Sequence, residues 1–153
     1  MRIVLVEPQH PGNVGAVARV MANFRIDDLA LVNGCEINND GYARSKSGRP
    51  ILENLKRFET MEKALADCDI AIGTSGIKPK GDKRWFRAPE SVKKINEMIE
   101  ERESPALVFG RENYGLYKDE LALCEATVTI PTNPDFPILN LSHAVGIVLY
   151  EIR

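Results

Sequence analysis

Short uninterrupted apolar runs alternate along the chain with segments whose apolar residues recur every three to four positions. Residues 3–6, Ile-Val-Leu-Val, form such a run, the pattern of a strand buried on both faces of a sheet. Residues 29–32, 69–73, 106–109 and 127–130 repeat it. Between the first two runs, residues 13–24 place Val14, Val17, Ala18 and Met21 on one face of a predicted helix, with Asn13 at its N-cap. Further helices are predicted over 59–67, over 89–102 with Pro89 as first residue, over 118–124, and from 139 to the chain end. The polar, Gly-containing stretch 33–55 reads as loop with one short helix, and 77–88 as a loop dense in Lys and Arg. Alternating strand and helix predicts an α/β fold: one three-layer domain over residues 1–153 with a mostly parallel sheet.

Composition changes this picture little. With 44% hydrophobic residues, 153 residues suffice for one sizeable core. The net charge of −2 argues against a binder driven by overall charge, while leaving room for a local basic patch. Cys35, Cys68 and Cys124 are odd in number, widely spaced and without a CxxC pair, so neither a disulfide framework nor a zinc site is expected. The chain opens directly on a strand, without a signal-peptide pattern, and no apolar run has membrane-spanning length. A soluble cytoplasmic domain is the expectation.

The chemistry concentrates where apolar runs give way to polar turns. The first such segment, residues 8–19, carries Gly12-Asn-Val-Gly15 and then Arg19 within an apolar helix. GxxG after a strand resembles a phosphate-binding turn but lacks the full GxGxxG fingerprint, which makes that a weak reading; the plain one is a turn with Asn13 as cap. The second, Phe109-Gly-Arg-Glu-Asn-Tyr-Gly115, places Gly110 where a ligand can approach the backbone and Gly115 where a turn needs positive φ. Arg111 and Glu112 there are either functional groups or an exposed ion pair of little worth. The third, residues 129–144, is stiffened by Pro131, Pro134 and Pro137 and leads into Leu139-Asn-Leu-Ser142. Asn140 and Ser142 can face one pocket or merely cap the helix that starts there. Ser142 and His143, neighbours on a helix, are not a hydrolase pair, and no third triad group is present. Lys78, Lys80, Lys83, Arg84 and Arg87 flank Trp85 and Phe86, a pattern that suits either a polyanion with stackable bases or a solvated lid. Arg44, Lys46 and Arg49 form a smaller basic cluster.

Taken together the three segments resemble the motifs of the SPOUT superfamily, in particular the SpoU/TrmH-type RNA ribose 2′-O-methyltransferases. Asn13, Gly15 and Arg19 match the first motif, Phe109-Gly-Arg-Glu with Gly115-Leu116 the second, and Ile130-Pro131 with Leu139-Asn-Leu-Ser142 the third. The TrmJ-like subgroup, which methylates position 32 of tRNA, is the nearest in pattern. The resemblance implies a C-terminal deep trefoil knot, an exception to the rule against knotted chains. It implies a homodimer in which Arg19 of one subunit faces the cofactor of the other. S-adenosyl-L-methionine, leaving as S-adenosyl-L-homocysteine, would lie among Thr74, Ser75, Gly76, Phe109, Gly110, Arg111, Ile130, Pro131 and Leu139. Arg19, Asn13, Glu112, Ser142 and Asn140 are the implied catalytic set, with Asn13 orienting Arg19 and Glu112 pairing with it. Lys80, Lys83, Arg84, Trp85, Arg44 and Lys46 are the candidates for binding RNA, most simply tRNA; no metal is implied. The family often has Ser where this chain has Ile138, which shifts weight to Ser142. TrmJ-like relatives usually carry a C-terminal extension, so a chain ending at Arg153 is either a minimal enzyme or one domain of a longer one. The rival readings are an RNA-binding protein that keeps the fold without catalysis, an enzyme acting on a free nucleotide, and a methyltransferase acting on rRNA.

Overall fold

The apolar runs become the strands of one sheet because each residue must bury its side chain on one face or the other. In the computed structural model, which describes residues 1–76 and 92–152, the strands are β1 (Arg2–Val6), β2 (Asp28–Val32), β3 (Lys56–Phe58), β4 (Ile70–Thr74), β5 (Pro105–Phe109) and β6 (Ala126–Val128). Their order is β3-β2-β1-β5-β4-β6, and every pairing is parallel rather than most of them. The helices are α1 (Pro11–Asn23), α2 (Asn39–Ser45), α3 (Arg49–Glu53), α4 (Met61–Leu65), α5 (Val92–Glu100), α6 (Lys118–Ala122) and α7 (Leu141–Glu151).

Alternation along each strand divides the core in two. Ile3, Leu5, Leu29, Leu31, Ile72 and Leu107 pack beneath α1, α3, α5 and α7, whereas Val4, Val6, Ala30, Ala71, Ala106 and Val108 pack against α4 and α6. Helices thus cover both faces, the expected three layers.

Several local expectations need correction. Stretch 33–55 holds α2, a 3-10 turn at Lys46–Gly48 and α3, not one short helix in a loop. The glycines explain how these pieces fit: a Cβ on Gly15 would stand 2.0 Å from the Gly41 carbonyl oxygen, and one on Gly48 would stand 2.3 Å from that of Ala18. Gly12-Asn-Val-Gly15 is therefore neither a phosphate-binding turn nor a flexible turn. It is the first part of α1, where Gly15 lets α2 approach the backbone. Asn13 is not the cap of α1, which starts earlier, with His10 at the N-cap and Pro11 and Gly12 next. Strand β3 was not expected at all, because its Lys-Arg-Phe sequence at the sheet edge has no apolar run. The predicted start at Pro89 lies outside the described residues.

Candidate active site

The C-terminal ends of β4, β5 and β6 lie side by side, and the chain returns past them at residues 137–141 before entering α7. Thr74 at the end of β4 with Ser75 and Gly76 beyond it, Gly110 to Glu112 after β5, and Ile130 after β6 line a cleft that opens to solvent. Its walls are mainly apolar, from Phe109, Val128, Ile138, Leu139 and Leu141, with a few polar groups at fixed points. Apolar walls with a few convergent polar groups are the composition of a small-molecule site. Of the nine residues named for the cofactor, all line this cleft except Pro131, which is exposed elsewhere.

Gly110 has a structural reason to be glycine besides its place in the cleft wall. A Cβ there would stand 2.0 Å from the carbonyl carbon of Gly115 and 2.2 Å from the nitrogen of Leu116, so the loop's own return needs the space. Gly115 has φ +64, the left-handed turn that its sequence position called for. Arg111 and Gly115 close the loop by exchanging backbone hydrogen bonds of 3.2 and 2.9 Å.

Glu112 faces the start of α1. Its carboxylate accepts from the backbone N–H of Gln9 at 3.0 Å, from that of His10 at 3.2 Å and from the Asn13 amide at 3.0 Å. Asn13 Oδ1 then accepts from Asn140 Nδ2 at 3.1 Å, and Asn140 Oδ1 accepts from the Ser142 N–H at 3.0 Å and the Ser142 hydroxyl at 2.8 Å. Burial pushes the Glu112 carboxyl up, but the hydrogen bonds from Asn13, Gln9 and His10 together outweigh it and hold it below its usual 4.5. A carboxylate can only accept, so it fixes which end of the Asn13 amide faces it. That choice turns Asn13 Oδ1 toward Asn140, turns Asn140 Oδ1 toward Ser142, and commits the Ser142 proton to Asn140. One charge thus sets the donor-acceptor direction of a four-residue relay. Asn140 caps α7, one of the two roles its position allowed, and also joins the relay; neither it nor Ser142 lines the cleft.

Arg111 is only 5% exposed and so is not half of an exposed pair. Its Nε donates to Glu7 at 2.7 Å, its two Nη groups donate to Glu120 at 2.9 and 2.8 Å, and it lies 3.9 Å over the Tyr117 ring. Hydrogen bonding to Glu120 foremost raises its already high pKa despite burial, so it is a permanent cation.

Arg19 is exposed and takes no part in the relay. It lies six residues beyond Asn13 in α1, ~9 Å along the axis and ~240° around it, so the two side chains diverge. Within this chain Asn13 makes no hydrogen bond to Arg19, and Glu112 does not pair with it. Arg44 pairs with Asp40 at 2.9 Å, while Lys46 is exposed on the 3-10 turn. Lys80, Lys83, Arg84 and Trp85 lie outside the described residues. Among the described residues no group of His, Cys, Asp and Glu could hold a metal ion, and no helix is long and apolar enough to cross a membrane.

Residues 1–150 match the model of the SpoU rRNA Methylase family. The chain belongs to that family. Among curated relatives, it is 41% identical to the tRNA (cytidine-2′-O-)-methyltransferase TrmJ of Methanocaldococcus jannaschii over 98% of its own length and 66% of that protein's. It is 37% identical to the tRNA (cytidine/uridine/adenosine-2′-O-)-methyltransferase TrmJ of Pseudomonas aeruginosa, covering all of this chain and 60% of that protein. The chain therefore spans 60–66% of the length of these relatives. Among solved structures, a probable methylase family protein from Haemophilus influenzae superposes with a TM-score of 0.89 at 34% identity, over 99% of this chain and 64% of that one.

Within the family frame, the acidic partners of Arg111 had escaped the sequence. Glu7 sits at the end of β1 with φ 47, and Glu120 in the first turn of α6. Nothing local marks either as a partner of Arg111, which is 104 residues from Glu7.

Proposed function

We propose that this chain is a methyltransferase domain that binds S-adenosyl-L-methionine in the cleft above β4, β5 and β6 and methylates a ribose 2′-hydroxyl of RNA, most simply tRNA. The observation that carries the reading is the relay of Glu112, Asn13, Asn140 and Ser142, which joins all three motifs at the cleft's edge. The names of the TrmJ relatives support the same reaction and substrate class. The residues present fit the cofactor: apolar walls for a purine, and Thr74, Ser75 and strand-end backbone groups for a polar tail. When bound, it supplies an activated sulfonium methyl group.

The chain's own task is then to align the ribose and manage the proton its hydroxyl loses. Arg19 is a poor base, since a guanidinium does not deprotonate near neutral pH. Its role is to stabilise the developing oxyanion and grip the adjoining phosphate, the proton leaving to a phosphate oxygen or to water. Ser142, with its own proton committed to Asn140, offers lone pairs only and so orients a donor. Arg19 points away from its own relay, so the reading includes a homodimer in which it serves the partner's cleft. Ile147 and Tyr150, 38% and 71% exposed and three residues apart on α7 beside α1, are apolar surface for that contact. Such an enzyme works where tRNA is processed, in the cytoplasm.

The test is incubation with methyl-labelled S-adenosyl-L-methionine and unmodified bulk tRNA, followed by alkaline digestion. Labelled alkali-resistant dinucleotides are expected, because a 2′-O-methyl group blocks cleavage at its own linkage. Binding of cofactor and tRNA without label transfer would sink the catalytic reading.

A further inference from the structure

Arg111 and Glu112 are adjacent, yet their side chains stitch the β5 loop to the rest of the fold at two different places. Glu112 lines the cleft and takes the N–H groups of Gln9 and His10. Arg111 takes Glu7 and Glu120, neither of which lines that cleft; both line a separate depression at the ends of β1 and β2. Helices α1 and α6, which follow β1 and β5, pack on opposite faces of the sheet. The gap between such strand ends is where open α/β sheets usually hold ligands. Here the Arg111–Glu7 pair and the Glu112 contacts span it, and the open cleft lies one strand further along.

We infer that Arg111, although it lines the cleft, is a positioning residue, which acts by locking the end of β5 to the end of β1 and the start of α6, and so holds Glu112 against Asn13. The effect on the relay follows from the geometry; its consequence for ligand binding rests on the cofactor reading above. The guanidinium spends Nε on Glu7 and both Nη groups on Glu120, with a further bond of 3.3 Å from Nη1 to the Gly115 carbonyl that closes the loop. Glu120 also accepts from the Tyr117 N–H at 2.7 Å, tying the start of α6 into the same cluster. A planar fork is needed to span two carboxylates and a carbonyl, and an ammonium on a flexible stem cannot reproduce it. Release of this stitch frees the backbone that carries Glu112, and with it the direction of the Asn13–Asn140–Ser142 relay.

The experiment compares Arg111→Lys, Glu7→Gln and Glu120→Gln with the parent chain at a temperature where all are folded. Two readouts are taken: the side-chain amide resonances of Asn13 and Asn140 in ligand-free protein, and the dissociation constants of S-adenosyl-L-homocysteine and 5′-methylthioadenosine, which lacks the amino-acid tail. Positioning predicts that all three variants move both amide resonances and weaken both ligands by the same factor, about tenfold or more. If only Arg111→Lys acts, and only on the ligand with a carboxylate, Arg111 touches ligand and the inference is overturned. A lower melting temperature with unmoved resonances and unchanged affinities makes Arg111 a plain staple, which overturns it too. Should the parent chain bind neither ligand, the cofactor reading fails, and the resonances alone decide the positioning role.

Discussion

Replacing one oxygen of Glu112 by an amide separates charge from shape at the centre of the site. Glu112→Gln can accept at one atom only, while three donors converge on the position, so loss of about 1–3 kcal/mol of stability is expected. The pH dependence has a fixed sign. The folded-state value lies below 4.5, so the carboxylate's contribution is complete above about that pH and is lost as pH falls through the lower folded value. Melting temperatures between pH 5 and pH 3 should therefore fall more steeply for the parent chain than for Glu112→Gln; parallel curves would show that Glu112 is not held as described. A second residue is tested by reactivity. Burial first, then Glu125 and Glu120, push the Cys124 thiol up to about 12, so native protein at pH 7.5 should alkylate there far more slowly than unfolded protein. Asn13, Glu112, Asn140 and Ser142 were legible in sequence as polar residues at strand ends. Their bonds to one another were not, because the partners lie 99 and 127 residues apart and no local pattern registers such distances.

Helix α1 shows how an element can be read correctly in place and wrongly in purpose. Its apolar face of Val14, Val17, Ala18 and Met21 was plain from spacing, and all four are fully buried. Its glycines suggested a turn because Gly after a strand usually marks one; only the packing of α2 reveals that Gly15 clears a path for another backbone and Gly12 for the Asp40 and Arg44 side chains. Gly15→Ala adds a methyl group 2.0 Å from the Gly41 carbonyl oxygen, where backbone cannot yield cheaply. A cost of about 3 kcal/mol is expected, seen as a fall in melting temperature of roughly 6–12 °C. A change below a degree or two would mean that α1 and α2 separate freely. Strand β3, and the division of 33–55 into two helices rather than one, were missed for a related reason. These elements are three to seven residues long, and the sheet edge and helix α1 against which they pack make them regular, rather than any periodicity of their own.

On the scale of the whole molecule, parallel topology explains why the site assembles from distant segments. Six parallel strands bring every strand C-terminus to one edge, so three polar turns, the first about a hundred residues before the other two, become neighbours there. That much the alternation of runs and turns foretold. The direction of Arg19 was not legible, since a sequence gives its helix but not the side from which a second subunit approaches. In one chain Arg19 and the relay leave α1 on different sides, and the proposed reaction needs both at one ribose. The discriminating variants are Arg19→Ala, expected to retain cofactor binding and lose methyl transfer, and Glu112→Ala, expected to lose transfer through the relay. Neither alone has a complete site. If Arg19 serves the partner's cleft, a mixed dimer has one complete site, built from the cleft of the Arg19→Ala chain and the arginine of the Glu112→Ala chain. Random mixing makes half of the dimers mixed, so unfolding and refolding the two together should restore about a quarter of the parent activity. If Arg19 served its own cleft, no combination would contain a complete site, and the mixture would stay as inactive as its components.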